Sequence, residues 1–417
     1  MDTLPDEILI LWLTQETNLV CTRWYHLWKN HVTSLFMTCH WEGNLAFLDS
    51  YLGLRKLSIR LGFKGGWKTR NIENYQTVFS RLRELDWNSK SYVTYDMIRS
   101  LVNLRKVSDY YVPGDVLQTL TTLTHLENYN TKLTGSFLQP LTNLHRIIIR
   151  SPFVTDQSVA NLTKLTSLTI QNGCGINGSA FPQLVMLKHL VIYNKKINSQ
   201  YLTELTHLEK LVLNHHTAVR DKELSLLTNL TSLSLFCNRA ITDSGISHLT
   251  RLTSLGLYGT RHVTDDGIIP LTNLRRLVLS RNKKITNHGI SALTNLTILV
   301  LKKNTRIDDA GIKDLSRLQS LNLRLNRQIT DQAVKLLTNL QSINLYKNKI
   351  VTNGCLKLLP KLRQVKAAGR DNKVEQLDNS IIVNESYYGK ASDSFDFNYT
   401  ESDHGDSDFS YSGSRSG

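Results

Sequence analysis

Residues 230–251 read LTSLSLFCNRAITDSGISHLTR. The next five stretches of 22 residues repeat the phrase, from LTSLGLYGTRHVTDDGIIPLTN to LQSINLYKNKIVTNGCLKLLPK. Their first leucines are Leu230, Leu252, Leu274, Leu296, Leu318, Leu340 and Leu362. Towards the N-terminus the register continues at Leu208, Leu187, Leu165, Leu144, Leu123, Leu104, Leu82, Leu54 and Val32, with steps of 19 to 28 residues. About 15 repeats thus cover residues 32–370. A chain of 417 residues with 41% hydrophobic content would suggest two or three globular domains. A repeat array replaces that expectation, because it grows by stacking.

Each part of the phrase has a physical role. In LxxLxL the last two leucines alternate with polar residues, the period of a strand with one buried face. Asn238, Asn282, Asn304, Asn326 and Asn348 follow at a fixed place. A buried amide there can satisfy backbone groups where the chain turns out of the strand. Thr242, Thr264, Thr286 and Thr330 then suit helix N-caps, with Asp243, Asp265 and Asp331 in the first turn. Gly245, Gly267, Gly289, Gly311, Ala333 and Cys355 share one register, which predicts close packing between neighbouring coils.

The phrase LxxLxLxxN at this period resembles the leucine-rich repeat family. The resemblance implies an α/β solenoid, a curved horseshoe with a parallel sheet on its concave face. The template places the third, fifth, seventh and eighth residues of each repeat on that face. The central repeats then offer aromatic and small side chains, Phe236 and Tyr258 among them. The last third offers a basic cluster of Arg276, Arg281, Lys302, Lys303, Arg324 and Lys347, with Tyr346 beside it. Aromatic and arginine residues carry interface hot spots, so these nine residues form the candidate partner-binding surface. The expected partner is a protein, plausibly acidic; no nucleic-acid module is visible, which disfavours nucleic acid.

Composition narrows the classes further. The net charge of +15 divides into about −7 over residues 371–417 and +22 over the rest. The terminal stretch, rich in Ser, Asp and Gly, reads as a disordered acidic tail. The five cysteines are scattered without metal spacing, which fits a reducing compartment, and the expected location is cytoplasmic or nuclear. The longest apolar run is six residues, far short of a membrane span of about 20, so no membrane role is expected. No phosphate-cradling loop, HExxH, GxSxG or CxxC pair occurs. The chain therefore reads as non-catalytic and without a cofactor or metal.

Residues 1–31 stand outside the repeat and begin MDTLPDEILILWLTQETNLVCTRWYHLW. Pro5, Asp6 and Glu7 suit a first helical turn, and two apolar stripes follow. Leu4, Pro5, Ile8, Leu9, Val20, Cys21, Arg23 and Trp24 resemble an F-box, with a shorter interval between its two ends. The resemblance implies docking of Leu4, Pro5, Ile8, Leu9, Val20 and Trp24 on a Skp-type adaptor of a cullin–RING (SCF-type) ubiquitin ligase. The repeats would then hold the substrate. The alternative is a scaffold without a ligase role, in which this short helical segment only caps the open end of the solenoid.

Overall fold

The computed structural model describes residues 81–87, 98–99, 101–109, 112–214 and 218–367, and the strands Ser34–Cys39, Lys56–Leu61 and Ile382–Glu385. Segment 1–31, with Leu4, Pro5, Ile8, Leu9, Val20 and Trp24, lies outside the described residues. So do His215, His216 and most of 371–417.

The fold is a leucine-rich repeat solenoid. Among the described residues, seventeen strands form one curved, open sheet. Each strand pairs in parallel with the strands of the preceding and following coils, from Ser34–Cys39 to Ile382–Glu385. The pairing register equates the same template position in successive coils, such as Leu233 with Leu255 and Leu255 with Leu277. Short helices such as Asp243–Ile246 and Asp265–Ile268 return the chain to the next strand. The template leucines, the helix residues Ile246 and Ile268, and Leu249 and Leu271 just after those helices are buried in one continuous core. No coil closes this core alone, so the stacking itself supplies the burial.

The asparagines perform the role expected of them. Asn304 Nδ2 donates to the carbonyls of Leu279 and Asn282, and its Oδ1 accepts from the N–H groups of Arg306 and Ile307. Asn326 and Asn348 repeat this pattern one and two coils later. In the Leu187 coil the buried amide is Asn194, one position earlier, donating to Cys174 and Ile176. Read on the template alone, Asn194 is an exposed eighth-position residue; the 21-residue step brings it inward instead.

The threonines and aspartates do more than cap. Asp243 accepts from the N–H and hydroxyl of Thr264 in the next coil, at 2.7 Å each. Asp221, Asp265, Asp309 and Asp331 hold Thr242, Thr286, Thr330 and Thr352 in the same way. Thr286 and Thr330 also cap their own helices, whereas Thr242 and Thr264 make no side-chain cap. This clamp explains the small-residue register. A methyl group on Gly267 would overlap Asp243 Oδ1, and one on Gly311 would lie 2.5 Å from Asn287 Oδ1.

The strand Ile382–Glu385 corrects the reading of 371–417 as tail throughout. It pairs with Gln364–Ala367 and extends the sheet. Ile381, Ile382 and Val383 are β-branched and favour a strand, a local signal that the acidic composition around them conceals.

Candidate functional site

Seventh-position residues form a row: Asn214, Phe236 and Tyr258 end their strands, and Ser280, Lys302, Arg324 and Tyr346 stand just past the strand ends of the following coils. Neighbouring strands are about 4.8 Å apart, close enough for adjacent members to touch. The rings of Phe236 and Tyr258 stack, with centroids 4.2 Å apart and planes 10° from parallel. The Arg324 guanidinium lies 4.8 Å from the centroid of the Tyr346 ring. Lys347 Nζ approaches the same ring at 5.6 Å. Arg324 Nε is buried and takes no hydrogen bond, so the ring face is the neighbour that compensates this part of the guanidinium. The result is an aromatic pair and, three coils away, a cation–aromatic cluster, joined by Ser280 and Lys302.

The sequence does not announce Gly256, yet the row depends on it. A methyl group there would lie 2.6 Å from Tyr258 Cε2. The fifth position of this coil is empty so that the Tyr258 ring can lie over its own strand.

The eighth position requires a correction. Cys237, Arg281, Lys303, Leu325 and Lys347 have φ between 49° and 57°, and Gly259 has φ 64°. They occupy the left-handed turn that swings the following asparagine or threonine inward, so Arg281, Lys303 and Lys347 stand beyond the strand ends. A left-handed conformation costs about 1–2 kcal/mol for a residue with a side chain. The N–H groups of Cys237, Gly259, Arg281, Lys303 and Leu325 offset that cost by donating to the next coil, as Arg281 does to Lys302 and Lys303 to Arg324, both at 3.1 Å. Arg276 is displaced in the other direction. It occupies a third position, paired with Ser254 and Ile298, about 13 Å along the strand from the seventh-position row. The structure therefore groups Phe236 with Tyr258, and Arg324 with Tyr346 and Lys347. Lys302 lies between the groups, Arg281 and Lys303 at their margin, and Arg276 apart.

A second row runs through the third positions of the earlier coils. Third-position residues of consecutive coils are Lys106, His125, Arg146, Ser167, His189 and Lys210, each in register with the next. Burial and the nearby charges of Lys106, Arg146 and His145 hold His125 below the usual histidine value, with Glu84 opposing. Burial and Lys210 lower His189 likewise, with smaller lowering from Arg146 and Lys188 and opposition from Glu209. Burial and the charge of Arg146 push Lys210 down to about 8. Arg146 meets Glu127 at 3.7 Å, and its Nε is buried without a hydrogen bond. Reading third positions along the chain would have found this row.

Among the described residues no group of three or more His, Cys, Asp or Glu side chains could hold a metal ion, and no helix is long and apolar enough to cross a membrane. Burial, with Asp331 adjacent, pushes the Cys355 thiol up to about 12, and burial raises Cys174 as well. Both thiols are protonated and unreactive at neutral pH.

The Leucine Rich repeat family profile matches residues 226–250, 271–294 and 292–316. Among solved structures, the chain is similar to an internalin from Listeria monocytogenes, at 23% identity and a TM-score of 0.50, over 70% of this chain and 86% of that one. A chain of the Rad7 and Elc1 complex in yeast is similar at 19% identity and a TM-score of 0.47, over 65% of this chain and 83% of that one. A chain of a Toll–Spatzle complex from Drosophila is similar at 17% identity and a TM-score of 0.44, over 85% of this chain and 63% of that one. No curated protein matches the sequence. These likenesses concern the fold.

Proposed function

We propose that this chain is a non-catalytic receptor that holds a partner protein on its concave face. The observation that carries the reading is the seventh-position row, where a stacked Phe236–Tyr258 pair and an Arg324–Tyr346 contact stand half-buried at the ends of the strands. Aromatic and arginine anchors on a pre-organised surface are what protein interfaces use for affinity. The cations Lys302, Arg324 and Lys347 favour a partner with acidic groups beside its apolar contact.

The finer reading is a substrate-recognition subunit of an SCF-type ligase. It is supported by the F-box-like residues Leu4, Pro5, Ile8, Leu9, Val20 and Trp24, placed just before the repeats. A cytoplasmic or nuclear location accords with it. The chain would contribute no chemistry of its own; ubiquitin transfer would belong to other subunits. Co-purification with a Skp-type adaptor, comparing the native chain with Leu4→Ala/Pro5→Ala, tests this role. Association that is lost in the double variant is the expected result. If the native chain fails to associate, the ligase role is wrong. If instead removal of residues 1–31 lowers the melting temperature without any adaptor association, the segment is a cap on the solenoid end.

A further inference from the structure

We propose that the third-position row of Lys106, His125, Arg146, His189 and Lys210 is a second binding site, which takes an acidic polypeptide segment lying across the strands. It is separate from the seventh-position row and does not depend on the receptor reading of that row.

The geometry defines the site and its limits. Six consecutive strands contribute, from Lys106–Asp109 to Lys210–Asn214. Five strand spacings make the row about 24 Å long, which an extended segment of about eight residues spans. Glu84 precedes Lys106 in the register and Ser232 follows Lys210, so the basic run ends at both sides. Between Arg146 and His189 stands Ser167, a short side chain that leaves room for a carboxylate between two nitrogen donors.

Charge selects the ligand. The carboxylates near the row are few and engaged: Glu127 with Arg146 at 3.7 Å and Glu209 with Lys188 at 2.8 Å. The lowered values of His125, His189 and Lys210 arise first from burial and then from neighbouring cations, Arg146 acting on all three, and an incoming anion relieves that repulsion. The fifth positions beside the row are Ser108, Glu127, Ile148, Thr169, Val191 and Val212. None is aromatic, so bases would find no ring to stack on beside the cations. Tyr129 and Tyr193 stand four residues further along their strands, about 13 Å from the row. An acidic peptide therefore fits better than a single-stranded nucleic acid.

Binding should take up protons. At pH 8 both histidines are neutral, and at pH 5 they are largely charged when an anion lies beside them, while aspartate side chains stay ionised. The groups that set this response are Lys106, Arg146, His145 and Glu84 around His125, and Lys210, Glu209, Arg146 and Lys188 around His189.

The experiment uses the full chain and a fluorescent ten-residue polyaspartate, read by anisotropy at low salt. Binding should tighten by about tenfold from pH 8 to pH 5. Arg146→Gln and Lys210→Gln should each weaken it at both pH values. His125→Gln/His189→Gln should abolish the pH response and keep the affinity at pH 8. Lys313→Ala/Lys357→Ala, at exposed helix ends away from both rows, should change neither, whereas Lys302→Ala/Arg324→Ala reports on the other row. If Arg146→Gln does not fold, Lys210→Gln and the histidine pair carry the test. The proposal is overturned by absent binding, by a pH response that survives the histidine pair, by loss only in Lys302→Ala/Arg324→Ala, or by tighter binding of a ten-nucleotide oligothymidine.

Discussion

At the scale of the residue, Gly267 and Asp243 explain each other. The carboxylate occupies the space a side chain would need at Gly267, because it is held there by Thr264. Gly267→Ala should cost about 1–3 kcal/mol by overpacking. Asp243→Ala should also destabilise, since it strands the Thr264 N–H. The two together should cost less than their sum, a coupling that a double-mutant cycle of urea unfolding measures. Additive losses would show that the glycine is required for another reason. The small-residue register was legible in the sequence, but its cause was not. A threonine before an aspartate reads as a cap within one coil, whereas its partner here lies 21 residues away. The eighth-position residues misled for a related reason: alternation continues on paper past the strand end, and the left-handed turn stops it.

At the scale of the element, the unit of stability is the seam between two coils. Asn304→Ala would take this partner from the Asn282 carbonyl and from the Arg306 and Ile307 N–H groups, while the Leu279 carbonyl keeps the Asn282 N–H. The expected loss is about 3 kcal/mol or more. Hydrogen exchange should locate it, with faster exchange at Arg306 and Ile307 and unchanged protection in the coils before Leu230. Protection lost evenly along the chain would contradict this seam-by-seam account. Seam positions were legible wherever the step is 22 residues, and slipped by one at Asn194, where a shorter coil shifts the turn. The basic third-position row involves no such shift. In the regular coils Ser232, Ser254, Ile298, Ser320 and Ser342 make most third positions uninformative, so the repeat phrase does not announce it.

At the scale of the whole molecule, the +15 charge is not spread evenly over the surface. Part of it is concentrated on the concave sheet, where like charges confront each other and weaken the fold that carries them. Lys210 makes this measurable. Its value of about 8 lies below the 10.5 of an unfolded chain, so between these pH values the unfolded state binds more protons and native stability rises with pH. Lys210→Gln lacks this contribution. Any advantage of the variant in melting temperature at pH 7.5 should therefore shrink as pH rises to 10. A constant difference would mean that the ammonium is not strained in the native state. The solenoid, its register and its buried face could be read from spacing alone. The identity of the ligand-bearing rows could not, because adjacency on the sheet joins residues about 20 positions apart in the chain.

The aspartate–threonine and asparagine clamps share a direction, opposite to that of the N–H bonds that Arg281 and Lys303 send forward to the next coil. Thr264 reaches back to Asp243, and Asn304 reaches back to Leu279 and Asn282. Synthesis runs the same way, N-terminus first. Each aspartate and each carbonyl is therefore in place, hydrated, at the growing edge before its donor is made. A newly finished coil meets a template already set by its predecessor. The polarity of the fasteners makes the solenoid a structure that can be laid down course by course as the chain emerges, with no earlier coil reopened to receive a later one.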